Sequence, residues 1–353
     1  MSAIPSNKII GGMFGLESPI PVDNLADVEL PRFLTSPHIK LATGRSAFSL
    51  LNSLLSPKNV WLPAYLCGVV MGAFPARQTR IKFYPIDENL QVTDDSWLTE
   101  VAGGDMVVFI DYFGFNLWSE YGAEVRRRGA WVVEDACQAL LNKQFCEHSH
   151  YVVFSPRKFV GVPDGGILLA QGDAKLPEVN LPTPPTEWWL AAFTASQLRA
   201  EFDRHGGERK WFELFRKSDP SGPLQPVRMS ELSQWLLPRL DWSEICIRRR
   251  ENYLHLASQL GSVAMFPDLP AGIVPIGFPI KLKQRDEIRQ RLFSHEIYPP
   301  VHWPVAGVVP AHFAASHRLN EVIMTLPCDQ RCQKTDLERM ISLLAKNKIP
   351  SKG

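Results

Sequence analysis

This sequence has no excess of charge of either sign: 38 basic against 37 acidic residues leave a net charge of +1. Without a one-signed field, neither nucleic acid nor a membrane surface is expected as a partner. No apolar run is long enough to cross a bilayer, and the opening M-S-A-I-P-S-N-K-I-I-G-G carries no long apolar core or cleavage signature. A cytoplasmic protein is therefore expected. The six cysteines (Cys67, Cys137, Cys146, Cys246, Cys328, Cys332) show no C-x-x-C spacing. Cys328 and Cys332 stand four apart, but no second pair completes a zinc site. Reduced thiols and no metal are expected. Internal repeats and low-complexity tracts are absent too.

The rest of the composition is ordinary and globular. The chain has 353 residues, 45% hydrophobic and 21% charged, enough for two domains and a large core. Residues 1–40 are proline-rich and lack periodicity, and read as an N-terminal arm. From Leu41 the pattern changes. Ala47, Leu50, Leu51, Leu54 and Leu55 recur at helical spacing after Thr43-Gly44. Short apolar runs at 60–65, 81–84, 106–110 and 131–134 read as strands, with helical stretches at 68–74 and 120–128 among them. That alternation predicts an α/β fold with a mostly parallel sheet in a large three-layer α/β/α domain. Residues 187–204, 229–237 and 245–260 read as helices. Beyond them, strands are expected at 273–278 and 279–282, and helices at 285–293 and 334–345. The expected division is an arm over 1–40, a large domain over 41–240 and a smaller C-terminal α+β domain over 241–353. The clusters Arg126-Arg127-Arg128 and Arg248-Arg249-Arg250 read as solvated helix faces. The tryptophans of 182–226 read as packing residues.

Two stretches carry chemistry. In W-V-V-E-D-A-C-Q-A-L an apolar run ends in Asp135; in Y-V-V-F-S-P-R-K another ends in Ser155 and Lys158, with Gly165-Gly166 following. Strands buried on both faces read as short apolar runs, and ligands gather at the carboxyl ends of parallel strands. An amine, a carboxylate and a hydroxyl at such ends suit pyridoxal 5′-phosphate. Its aldehyde needs an amine (Lys158), its ring nitrogen a carboxylate (Asp135), and its phosphate hydroxyl and N–H donors (Ser155). Gly44, Arg45 and Ser46 open a helix, where free N–H groups favour a phosphate. The plainer alternatives stay open: a strand-end acid with a surface lysine, and simple capping by Thr43 or Ser46.

The order G-R-S-A, P-A-Y, V-V-E-D-A-C-Q-A and V-F-S-P-R-K with its two glycines resembles the DegT/StrS-type sugar aminotransferases. These are fold type I pyridoxal-phosphate enzymes. The resemblance extends through R-M-S-E-L, R-R-R-E-N-Y, V-H-W-P and T-L-P-C-D-Q, so it covers most of the chain from Leu41 onward. It implies that Lys158 holds the cofactor and moves a proton, and that Asp135 pairs with the ring nitrogen. Gln138 would lie beside the ring, and Ser155 with the amides near Arg45 and Ser46 would hold the phosphate. His302 would stand at the substrate mouth.

There are departures. Ser155 is only three residues before the lysine. Cys67 aligns with the aromatic that covers the ring, for which Tyr65 is the expected substitute. Pro226 replaces a partner-subunit asparagine, and Asp111 a frequent histidine. Related dehydratases carry histidine in place of the lysine, so Lys158 favours transamination. The implied reaction moves an amino group from an amino acid, glutamate being expected, to a nucleotide-linked keto-sugar in polysaccharide or glycoconjugate biosynthesis. A homodimer is implied as well. Two alternatives stand beside it: a catalytically quiet pyridoxal-binding homologue, and a pyridoxal enzyme acting on a lipid-linked or non-sugar ketone.

Overall fold

The computed structural model describes residues 8–21 and 29–345. Of the expected arm, residues 1–7 and 22–28 lie outside the described residues. The remainder of the arm includes β1 (Ile10–Gly11), α1 (Arg32–Thr35) and β2 (His38–Leu41). Next come α2 (Gly44–Leu55), β3 (Asn59–Pro63), β4 (Arg80–Tyr84), β5 (Met106–Ile110), α3 (Ser119–Arg127), β6 (Trp131–Asp135), β7 (Tyr151–Phe154) and β8 (Gly166–Ala170). One seven-stranded sheet takes the order β2-β8-β7-β6-β5-β3-β4. Its pairings are parallel from β4 to β7, and antiparallel on both sides of β8. The mostly parallel α/β sheet expected from the apolar runs is therefore the fold. Alternation along the strands accounts for layers on both faces. Tyr151 and Val153 enter one buried cluster, while Val152 and Phe154 enter another.

Two helices, α4 (Thr186–His205) and α5 (Lys210–Ser218), pack on one another after the sheet. Trp211 is buried with the Arg199 guanidinium 4.6 Å from its ring, and Trp189 stacks on Phe193. The chain then returns along Leu41 and enters α6 (Glu231–Leu236) and α7 (Trp242–Leu260). Both helices are capped by their preceding residue. Ser230 accepts from the Ser233 N–H, and Asp241 from the Glu244 N–H at 2.9 Å. The remaining elements are β9 (Phe278–Lys281), α8 (Arg285–Phe293), β10 (Ile297–Tyr298), α9 (Ala314–Val322), β11 (Ile323–Leu326) and α10 (Lys334–Ala345). The strands β9 and β11 pair antiparallel, and β1 runs parallel to β10, tying the start of the described chain to its C-terminal part.

Three expectations are corrected here. The edge strand β2 begins at His38, inside the stretch that lacked any pattern. Residues 273–277 form no strand, because the buried Arg249 guanidinium takes the carbonyls of Pro275 and Ile276, each at 3.2 Å. The same fact removes Arg249 from the solvated face expected of its cluster. It also donates to the Phe159 carbonyl at 2.8 Å, whereas Arg248 pairs with Glu244 at the surface. The first cluster behaves as expected, with Arg127 and Arg128 both on Glu124 and Arg126 on Asp173.

The tightest crossing in the large sheet is at Gly166, where an added Cβ would stand 2.1 Å from the Thr43 carbonyl oxygen. Gly166→Ala is expected to lower the thermal unfolding midpoint, since overpacking of this kind costs typically about 1–3 kcal/mol. Calorimetry of the variant would reject the close approach as a constraint if the midpoint stayed unchanged.

Candidate active site

The carboxyl ends of β6 and β7 and the start of α2 meet around one cavity of about 660 Å³. Asp135 is the last residue of β6, and its Oδ1 accepts from the Cys137 N–H at 3.0 Å. That bond turns the chain at the strand end and leaves Oδ2 free of it. Lys158 ends a short 3₁₀ turn, Pro156–Lys158, that follows β7 and the buried Ser155. Gly165 donates to the Ala42 carbonyl at 2.7 Å and draws the chain after the lysine onto the start of α2. Asp164 anchors the other side. Its carboxylate accepts from the Ser230 N–H at 2.7 Å and from the Ser230 and Ser233 hydroxyls at 2.5 Å each. Gly44 completes the approach, because a Cβ there would stand 3.3 Å from Cys137 Sγ.

Of the residues singled out in the sequence, Gly44, Arg45, Asp135, Gln138, Ser155, Lys158 and His302 all line this cavity. Two do not. The Ser46 hydroxyl is buried between Thr43 Oγ1 and the Pro223 carbonyl, both at 3.1 Å. Thr43 caps α2 by accepting from the Ser46 N–H at 3.0 Å, so the plain capping alternative describes these two hydroxyls. Tyr65 is also fully buried away from the cavity. Its hydroxyl donates to the His302 carbonyl, and its ring packs near Tyr112 and Trp303. The cavity is lined instead by Cys67, the residue for which Tyr65 was expected to substitute. Asp111 is buried and shares a hydrogen bond with Glu134, whose carboxyl also accepts from the Ser149 hydroxyl at 2.7 Å.

Electrostatics distinguish the groups. Burial pulls the Lys158 amine down, but Cys137, Asp135 and Cys67 pull it up and prevail, so its pKa is raised. Cys137 is itself pushed well above the usual thiol value by burial, then by Asp135. It is a neutral thiol at neutral pH, so the Asp135 carboxylate is the neighbouring group left to favour the ammonium. His302 donates to or accepts from Thr325 Oγ1 through Nδ1 at 2.9 Å. Burial, then the Lys158 charge, lower its pKa to about 3, so its imidazole is neutral. Gln138 is 2% exposed; its Oε1 accepts from the Phe113 N–H at 2.8 Å while its Nε2 has no partner among the described residues.

Several lining residues gave no signal in the sequence reading. Arg157 sits between the serine and the lysine that were noticed. Trp188 and Asp219 come from the region read only for its tryptophans; Trp188 donates to the Ser218 carbonyl at 2.9 Å and forms part of the wall.

Solved structures match this arrangement of elements over nearly the whole chain. The aminotransferase TlmJ from Streptoalloteichus hindustanus aligns with a TM-score of 0.66 at 19% identity, covering 96% of this chain and 100% of that one. A DegT DnrJ EryC1 StrS aminotransferase from Brucella abortus aligns at 0.59 and 17%, covering 88% and 85%. The PLP-form of the putative sugar aminotransferase Spr1654 from Streptococcus pneumoniae aligns at 0.65 and 14%, covering 97% and 94%. The fold is that of the fold type I aminotransferases. No family model matches the chain, and no curated relative does. The likeness expected from the motifs thus reappears at the level of fold.

The neutral imidazole has a measurable consequence. A histidine in an unfolded chain titrates near ~6.5. Below that pH the unfolded chain binds a proton that folded His302 refuses until about 3. The stability this residue contributes is complete above ~6.5 and is lost as the pH falls toward its folded value. His150, lowered to about 4 by burial and then Arg126, acts in the same direction. His302→Gln cannot charge, and is expected to shrink the fall in unfolding free energy between about pH 7 and 4.5 by up to roughly 1.4 kcal/mol per pH unit. A fall as steep as that of the unaltered chain would remove His302 from this role.

Proposed function

We propose that this chain is a pyridoxal-phosphate-dependent aminotransferase of the DegT/StrS type, acting on a keto-sugar. The observation that carries the reading is the meeting of Lys158 and Asp135 in one cavity, at the ends of neighbouring parallel strands. The donor set fits the cofactor. Gln138 Nε2 is a buried donor without a partner, in a cavity that also holds an amine, a carboxylate and the buried Ser155 hydroxyl.

Bound pyridoxal phosphate supplies an aldehyde that carries the amino group and a ring that withdraws electrons from the reacting carbon. The chain's own residues do the rest. Lys158 provides the amine that holds the cofactor and, once free, the base that moves a proton at the reacting carbon. It is charged while Asp135 faces it alone. A second cation against Asp135, such as a protonated ring nitrogen, offsets that attraction, and burial then pulls the amine toward its neutral form. Asp135 keeps that ring nitrogen protonated. Gln138 would offer its amide hydrogens to the ring, and Ser155 with the N–H groups at Gly44 and Arg45 would hold the phosphate. His302, neutral and oriented by Thr325, offers a hydrogen bond at the substrate side without adding charge. In the same reading the donor is glutamate and the acceptor a nucleotide-linked keto-sugar. The product enters polysaccharide or glycoconjugate biosynthesis, and the protein is a cytoplasmic homodimer. An arm over 1–40, a large domain over 41–240 and a small one over 241–353 complete it.

Lys158→Ala is expected to abolish the visible absorbance band of protein reconstituted with the cofactor, and to slow turnover by about 10²–10⁴-fold or more. Asp135→Ala should slow turnover more than it weakens cofactor retention. Adding glutamate to the unaltered, loaded protein should bleach the visible band. Survival of that band in Lys158→Ala would end the assignment of the lysine.

A further inference from the structure

Of the ten tryptophans in the chain, nine lie against another aromatic ring or a cation. Trp188 is the exception: among the described residues no ring and no cation covers its faces. It is part-buried and stands in the wall of the cavity that holds Lys158. Its one polar atom is already engaged, since Nε1 donates from α4 to the Ser218 carbonyl at the end of α5, at 2.9 Å. That bond fixes the ring and leaves its faces as what it can offer a ligand.

The surroundings match such a use. Ala192 and Ala195 follow four and seven residues later on the same face of α4, and both line the cavity. Side chains this short leave room beside the indole. Phe215 of α5 lines the same wall, and it too meets no other ring among the described residues. The hydroxyls here are engaged: Ser196 donates to the Ala192 carbonyl at 3.0 Å and Ser218 to the Phe215 carbonyl at 3.4 Å. The arginines of the cavity are held elsewhere. Arg45 lies on the carbonyls of Asp219 and Pro220, Arg157 on the Asp219 carboxylate, and Arg331 on Asp329 and over the Phe14 ring. Trp188, Ala192, Ala195 and Phe215 thus present aromatic faces and methyl groups, with no free donor or acceptor in their side chains. Such a surface does not read the polar edge of a ligand; it takes a flat face.

We propose that Trp188, with Phe215, is the platform on which a flat aromatic ring of the acceptor stacks. That the ring belongs to an acceptor rests on the reading above. On that reading it is the base of a nucleotide-linked keto-sugar; an aryl group on a ketone offers the same face. Because the platform does not touch the ring's edge with a polar group, it holds purine and pyrimidine alike. Selection among sugars then falls to other parts of the cavity.

Protein loaded with pyridoxal phosphate is titrated by calorimetry with uridine, adenosine, acetophenone and cyclohexyl methyl ketone. None of these carries a phosphate, and loading fills the cofactor's own place. At least one flat-ring probe should bind, and the saturated ketone should bind more weakly. Trp188→Ala and Trp188→Leu should weaken the flat-ring probe about 5- to 100-fold, the range of one base–aromatic stack. Trp188→Phe, which loses the bond to Ser218 and keeps a ring, should retain most of the binding. A tryptophan that only packs would lower the melting temperature in all three variants and leave the affinities alone. Binding of the two nucleosides assigns the ring to a nucleotide; binding of acetophenone without them assigns it to an aryl ketone. The platform is overturned if no flat-ring probe binds, if the saturated ketone binds as tightly as they do, or if Trp188→Leu binds them like the unaltered protein. A chain that takes up no pyridoxal phosphate ends the reading above, and the same titrations of the unloaded chain then decide the platform by the same criteria. A chain that is loaded and bleached by glutamate, but whose Trp188→Leu variant binds the rings unchanged, keeps that reading and loses the platform.

Discussion

The hydrogen bond from the Gly165 N–H to the Ala42 carbonyl is the constraint on which the cavity depends. It joins two segments more than a hundred residues apart, and each brings chemistry to the junction. From one side come Ser155, Arg157 and Lys158; from the other come the cap of α2, Gly44 and Arg45. No side chain can intervene, because Gly166 passes against the Thr43 carbonyl and Gly44 against Cys137. Asp164, one residue earlier, fastens the same turn to Ser230 and Ser233 at the start of α6. The lysine is thus held on a loop that is pinned at both ends. An amine set beside a carboxylate acts on it only from a fixed position, and this junction gives Lys158 one.

Position then decides charge. Lys158 is subject to two opposed effects: burial favours the neutral amine, and Asp135 favours the ammonium. Anything cationic set against Asp135 weakens that pull and leaves burial less opposed. His302 responds to the same pair in the opposite way. Burial and the ammonium both depress it, so it stays neutral while the lysine is charged. One small volume therefore holds an amine, a carboxylate and a neutral imidazole that act on one another.

Much of this was legible because it is backbone-encoded. Apolar runs that end in an acid or a serine mark the carboxyl ends of buried strands, and Asp135, Ser155 and Lys158 lie where those runs stop. Gln138 is implied only by the family resemblance. Side-chain direction was less legible, because it is set by partners far off in sequence. Ser46 turns toward the Pro223 carbonyl, and Tyr65 toward the His302 carbonyl, 177 and 237 residues away. Neither partner announces itself, since any residue has a carbonyl. Arg249 is hidden for a related reason. Three successive arginines on a helix point in different directions, and only a buried set of unpaired carbonyls decides which one turns inward. The strand β2 escaped notice because just four residues, ending in Leu41, pair with β8, and only that leucine is fully buried.

The helices α4 and α5 show what such hidden partners do to function. Their tryptophans read as packing residues, and Trp211 and Trp189 do pack. Trp188 differs: its indole N–H is fixed to the Ser218 carbonyl, and it shares the cavity wall with Phe215. That same Ser218 ends α5, and the next residue is Asp219, the carboxylate held by Arg157. An apolar wall and an ionic contact are therefore consecutive parts of one element. A single residue step separates the Trp188–Ser218 hydrogen bond from the Arg157–Asp219 ion pair, so the same end of α5 fixes both parts of the cavity wall.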